Sequence, residues 1–133
     1  MNEALKPLGL LSIAILWIVM IVMTVALGRD NTLTFSKHAA TNKKAFLIFG
    51  LSQAVAIPML IAFCLGWFSP NFQLPTFFDV LVISSGLLFL VASWIPDTNK
   101  GIKSAIHGTL AYSGAMLIIP ATTIIAISPG VGL

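Results

Sequence analysis

Apolar residues in this chain gather into long, nearly unbroken stretches separated by short polar gaps. Four runs stand out, at about residues 8–28, 45–68, 78–95 and 105–128. Each is close to the ~20 residues that a helix needs to cross ~30 Å of hydrocarbon. No water at that depth can satisfy backbone N–H and C=O groups, so each run is expected to be an α-helix, which pairs those groups within itself. The pattern predicts an all-α protein, a four-helix transmembrane bundle forming one domain over residues 1–133. The longest polar stretch, "RDNTLTFSKHAATNKK", has room for an interfacial turn of helix around Leu33 and Phe35 but not for a core of its own. The first run follows Lys6 and is too long for the apolar region of a cleaved signal peptide. No clear A-x-A site follows it before Arg29, so it reads as a retained helix.

Composition sharpens the class. Hydrophobic residues make up 58% of the chain and charged residues 8%, against about half and about a quarter in a soluble domain. The single cysteine, Cys64 in "MLIAFCLGWF", excludes a disulfide framework or a cysteine-based zinc site within the chain and reads as a small hydrophobe. The seven Lys and Arg residues form no extended basic face beside aromatic platforms, which argues against nucleic acid as a partner. Their distribution is informative instead. Arg29, Lys37, Lys43, Lys44, Lys100 and Lys103 fall in the first and third loops, and only Lys6 lies on the opposite side. The positive-inside rule then gives two basic cytoplasmic loops, with the N and C termini outside. Trp67, Phe68, Phe77 and Phe78 are expected as anchors around the outer loop, and Trp94 near the inner face. Lys37, Lys43 and Lys44 can each attract anionic lipid by about 1 kcal/mol, although setting the topology is the favoured account of them.

Helices in lipid associate through close contact of small residues. In the second run Gly50, Ala54, Pro58, Ala62 and Gly66 recur every four residues, a candidate helix-packing or ligand groove. Gln53 lies beside it, with an amide that should face the bundle or a wet cavity near the cytoplasmic side. Gly108, Ala111, Gly114 and Ala115 offer a second small-residue surface in the fourth run. Pro58 and Pro120 fall inside helices, where each removes a backbone hydrogen bond. No charged residue occupies the middle of a run, which argues against a proton relay, a voltage sensor or an ion pump.

Candidate chemistry concentrates in two stretches, "SKHAATNKK" and "ASWIPDTNKGIKSAIHGTLAY". Asp97 and His107 are the candidate catalytic acid or base. With His38 they make up a two-histidine, one-carboxylate donor set on one predicted face, the kind that holds a hydrolytic metal. The spacings of helical metal motifs are absent, however, so the expectation is no metal and no cofactor, with His38 solvated in a loop. No nucleophile stands beside a base at a recognisable spacing. Pro96 should end the third helix just after Trp94. Asp97 then enters a turn with Thr98 and Asn99, Ser104 caps the fourth helix, and His107 sits in its first turn, facing a neighbour.

The first loop with its following helix, "LTFSKHAATNKKAFLIFGL", and the later "WIPDTNKGIKSAIHGTLAY" resemble the prokaryotic multi-pass membrane family catalogued as domain of unknown function 998. The matching positions are Ser36, Asn42, Pro96, Asp97 and His107, within a resemblance spanning roughly residues 8–120. Family members usually carry more helices, and "TNKGIKSAI" separates Asp97 from His107 like an insertion. The resemblance implies a prokaryotic plasma (inner) membrane and lends no activity. The expected function is therefore a small integral membrane protein, a lipid-binding or membrane-subunit interaction module without catalysis. Its partners would be membrane lipids and other membrane subunits or further copies of itself. The alternative is a membrane-embedded enzyme acting on a lipid-like substrate at the cytoplasmic interface.

Overall fold

The computed structural model describes residues 2–28, 34–98, 101–129 and Val131. Among these the chain is all-helical, and four helices are long and apolar enough to cross a membrane: α1 (Glu3–Ala26), α3 (Lys43–Asn71), α4 (Thr76–Ser93) and α5 (Ile102–Ile127). A short helix, α2 (Phe35–Thr41), precedes α3. Arg29 and Leu33, and Asn99 and Lys100 of the later turn, lie outside the described residues.

The helix ends follow local chemistry. Asn2 accepts a hydrogen bond from the Ala4 N–H, and Pro7 sits in the first turn of α1, where its missing N–H removes no helical bond. Thr34 accepts from the Lys37 N–H to start α2. Asn42, in extended geometry, both ends α2 and caps α3 by accepting from the N–H groups of Lys44 and Ala45. The expected turn near Phe35 is thus two turns of helix joined to α3 by one residue. α3 runs through Pro58 and reaches Asn71 by way of a widened π-type turn at Cys64–Phe68. α4 stops at Ser93, with Trp94 at its C-cap ahead of Pro96. Ser104 does not cap α5. The cap position belongs to Gly101, at φ 88°, and Ser104 lies inside the first turn, which moves His107 into the second.

Neighbouring long helices are antiparallel and pack in the series α1–α3–α4–α5, while α2 packs on α3. Among the described residues α1 and α5 make no extended contact, so the series stays open along one side. α5 is held by a single seam, His107, Gly114 and Ala121, spaced every seven residues. Gly114 lies against the Phe89 ring, and its carbonyl accepts a 2.8 Å hydrogen bond from the Ser85 hydroxyl. Gly108, in contrast, has nothing within 4 Å of where a Cβ would stand.

Two apolar clusters mark the ends of the assembly. Met23, Ala39 and Ala45 form one, at the α2 end. Leu74, Phe78, Leu81 and Ala121 form the other. Phe78 is only 2% exposed, so it belongs to this core, whereas Phe77 at 59% keeps the outward position expected of an anchor. At the same end the Trp67 indole N–H donates to Glu3, and the Lys6 ammonium sits 5.2 Å from the Trp67 ring centre.

The small-residue stripe of α3 divides between two neighbours. A four-residue repeat on a 3.6-residue helix drifts by ~40° per step, or ~160° from Gly50 to Gly66. Gly50 accordingly lies under the Trp94 indole, beyond the end of α4, and Gly66 lies under Leu5 of α1. Between them Ala54 and Ala62 are half-buried and Pro58 is exposed. The two ends of the stripe therefore meet different neighbours, and with Pro58 exposed between them the five residues do not face one helix.

Candidate functional site

The polar residues at the α2 end form a connected cluster. Ser104 donates a 2.8 Å hydrogen bond to one Asp97 carboxylate oxygen, and Ser36 of α2 makes a longer one, 3.4 Å, to the other. Asp97 thereby ties α2 to the turn between α4 and α5. His107 is buried, and its Nδ1 lies 2.9 Å from both the Ala92 and Ile95 carbonyls. Both partners are acceptors, so Nδ1 carries the proton and donates to the C-terminal end of α4. His38 is buried within α2, not solvated in a loop as its surroundings in the sequence implied, and its Nε2 has no hydrogen-bond partner.

This arrangement is a poor catalytic machine. A hydrolytic triad needs the nucleophile on the base and the base on its orienting carboxylate. Here both serines bond to the carboxylate, and the histidine nitrogen that would face an acid bonds to backbone carbonyls. Among the described residues no group of three His, Cys, Asp or Glu side chains is placed to hold a metal ion, so His38, Asp97 and His107 do not converge as a ligand set.

A second site lies within the helices. A cavity of about 460 Å³ is lined by all four long helices and by Phe35 of α2. On α1 the wall is Leu16, Val19, Met20 and Met23, one face at helical spacing. On α3 it runs from Phe49 through Gln53, Ile57 and Leu60 to Cys64. That stretch covers about 22 Å at 1.5 Å per residue, whereas a round cavity of 460 Å³ would be about 10 Å across. The cavity is therefore elongated along the helices. The two apolar clusters bracket it, since Met23 belongs to one, Phe78, Leu81 and Ala121 belong to the other, and all four contribute to the wall. α1 and α5 face each other across it on the open side of the series.

Among the described residues no charged side chain lines this cavity. The hydroxyls of Ser85 and Thr122, both in the wall, are engaged with backbone carbonyls. Gln53 differs, because its amide makes no hydrogen bond among the described residues. Leaving such a group unpaired in apolar surroundings costs about 1–3 kcal/mol. Sequence reasoning singled out Gln53 for its amide. It missed the bulky stripe Phe49–Gln53–Ile57–Ile61, which has the same four-residue spacing as the stripe of small residues. It also passed over Asp79, in the first turn of α4, one of whose carboxylate oxygens is buried without a partner. The signal was an acid at the start of an apolar run.

The chain matches no protein-family model, no curated protein and no solved structure.

Proposed function

We propose that this is an integral membrane protein that holds a lipid hydrocarbon chain in its intramembrane cavity and carries out no catalysis. The observation that carries the reading is the elongated apolar cavity walled by all four long helices. Its volume lies within the ~300–1,000 Å³ typical of small-molecule sites, and its length favours an extended chain over a compact ligand. The cavity opens along the side where α1 and α5 are not in contact, so a chain from the bilayer can enter and fill the space that the helices leave unpacked. The broad apolar faces outside the seams, such as Leu47, Leu51 and Val55 on α3 and Val80, Leu87 and Val91 on α4, suit contact with bilayer lipid. The excess of Lys and Arg around α2 favours a cytoplasmic α2 end with both termini outside.

Extraction in a mild detergent followed by mass spectrometry of bound lipid tests the proposal. The purified protein is expected to retain about one hydrocarbon-chain ligand per chain. Ala121→Phe, which projects a ring from the wall, should displace it without loss of helix content. A wild-type protein that retains no lipid, and whose melting no added lipid changes, would refute the reading. The enzyme alternative predicts instead turnover of a lipid substrate that is lost in His107→Ala at unchanged stability.

A further inference from the structure

Resting on the lipid-binding reading, we infer that Gln53 selects the ligand: the cavity takes an uncharged lipid bearing a carbonyl or hydroxyl oxygen, which the Gln53 amide hydrogen-bonds within the hydrocarbon. Gln53 lies ten residues into α3, about 15 Å along the axis from Lys43. At about 44 Å this 29-residue helix overhangs the ~30 Å apolar layer at both ends, so with the layer centred on Ile57 the amide lies about 9 Å inside it, below the level of the charged headgroups. A phosphate or ammonium group is also ill suited to the wall, which among the described residues has no side chain of either charge.

The environment gives this one amide unusual weight. Bilayer hydrocarbon is as apolar as the cavity, so an alkyl chain moving from one to the other gains little from the transfer itself. Shape and hydrogen bonding are left to discriminate. The two hydroxyls in the wall already donate to carbonyls, Ser85 to Gly114 and Thr122 to Ile119, whereas the amide of Gln53 has both its donor and its acceptor unengaged. A carbonyl ligand would accept from the amide N–H, and a hydroxyl ligand could also donate to its oxygen. Phe49, one turn before Gln53, and Phe89 of α4 supply flat apolar surface in the same cavity. The ligand class is therefore a hydrocarbon body with a small neutral oxygen function, as in a lipid quinone or a long-chain alcohol.

The test compares dodecane, 1-dodecanol and a decyl-substituted benzoquinone at equal mole fraction in detergent micelles, with wild-type protein and Gln53→Met. Wild-type protein should bind an oxygen-bearing ligand about tenfold more tightly than dodecane, the scale of one hydrogen bond made in an apolar site. Gln53→Met should abolish that preference and leave dodecane binding unchanged. The order of the alcohol and the quinone identifies which oxygen chemistry the site prefers. Equal affinity for all three in wild-type protein, or a preference that survives Gln53→Met, overturns the inference while leaving lipid binding intact. Failure of wild-type protein to bind any of the three refutes the lipid-binding reading itself. If Gln53→Met does not fold, the infrared carbonyl band of the quinone bound to wild-type protein decides. A band lowered from its position in empty micelles supports the hydrogen bond, and an unshifted band overturns it.

Discussion

Replacing His107 with alanine removes the side chain that fastens α5 to the end of α4. The imidazole is 8% exposed, and its Nδ1–H is shared between two carbonyls at 2.9 Å. The two acceptors do not lose equally. The Ala92 carbonyl also accepts from the Ile95 N–H and keeps that bond, whereas among the described residues no backbone N–H donates to the Ile95 carbonyl. One orphaned acceptor costs about 1–3 kcal/mol when buried, but interhelical bonds in membrane proteins average nearer ~0.6 kcal/mol and reach ~1.7. The lower range applies, because Ile95 lies beside the polar turn, where water can enter once the ring is gone. Adding about 1 kcal/mol for lost packing gives an expected destabilisation of about 2 kcal/mol for His107→Ala. Equilibrium unfolding by titration with sodium dodecyl sulfate, followed by helical circular dichroism, measures it. His107→Asn should recover at least half of the loss, since the asparagine amide nitrogen stands close to where Nδ1 does. A His107→Ala variant within about 0.5 kcal/mol of wild type, or an asparagine variant no better than alanine, would refute the role of this hydrogen bond.

Four further outcomes are expected. Asp97→Asn should change stability by less than about 0.5 kcal/mol in the same titration, because the amide oxygen still accepts from Ser104, whereas Asp97→Ala should cost about 1 kcal/mol. Gly50→Leu should displace the Trp94 ring packed over it, seen as a shifted tryptophan emission and lower stability, while Pro58→Leu on the exposed side of α3 should leave both nearly unchanged. In cells, a thiol reagent confined to the outside should label Asn71→Cys but not Lys43→Cys or Lys103→Cys, all in a Cys64→Ser background; the reverse pattern would invert the proposed orientation. In the same Cys64→Ser background, a bismaleimide long enough to span the open side and join Leu16→Cys to Leu117→Cys should slow lipid exchange at unchanged helix content, and exchange at the wild-type rate would place the ligand's route elsewhere.

The long helices were legible because crossing hydrocarbon leaves the backbone one economical solution, and the four apolar runs match α1, α3, α4 and α5 with ends displaced by a few residues. Those displacements have local causes. Asn42 starts α3 before the apolar run begins, and Gly101 starts α5 ahead of Ser104. The stop at Trp94 could be read in advance because Pro96 constrains the residue before it. Side-chain partners were less accessible to sequence reasoning. His107 and Asp97 look alike as isolated polar residues near one interface, and only the arrangement of α4 against α5 sends one to the backbone and the other to two serines. The stripe from Gly50 to Gly66 is conspicuous because small residues are easily counted, but its angular drift sends its two ends to different neighbours.

The cavity was least legible, for a physical reason. In a water-soluble fold, a bulky apolar face marks burial against a partner, because exposure to water is costly. In lipid the same face is equally at home against another helix, against the bilayer or around a ligand, so hydrophobicity cannot distinguish the three. Leu16 and Val19 of α1 are half-buried and line the cavity, while Trp17 and Ile18 between them are well exposed, and all four would be read alike from composition. What distinguishes them is the open series of helices. α1 is held by α3 and α5 by α4, each through seams containing small residues, and neither arrangement brings α1 and α5 together. The space left between them is closed at both ends by apolar clusters, so on the proposed reading a ligand arrives sideways from the bilayer. The one wall residue whose cost in lipid is large, Gln53, was visible in the sequence, and that cost makes it the discriminating contact in the cavity.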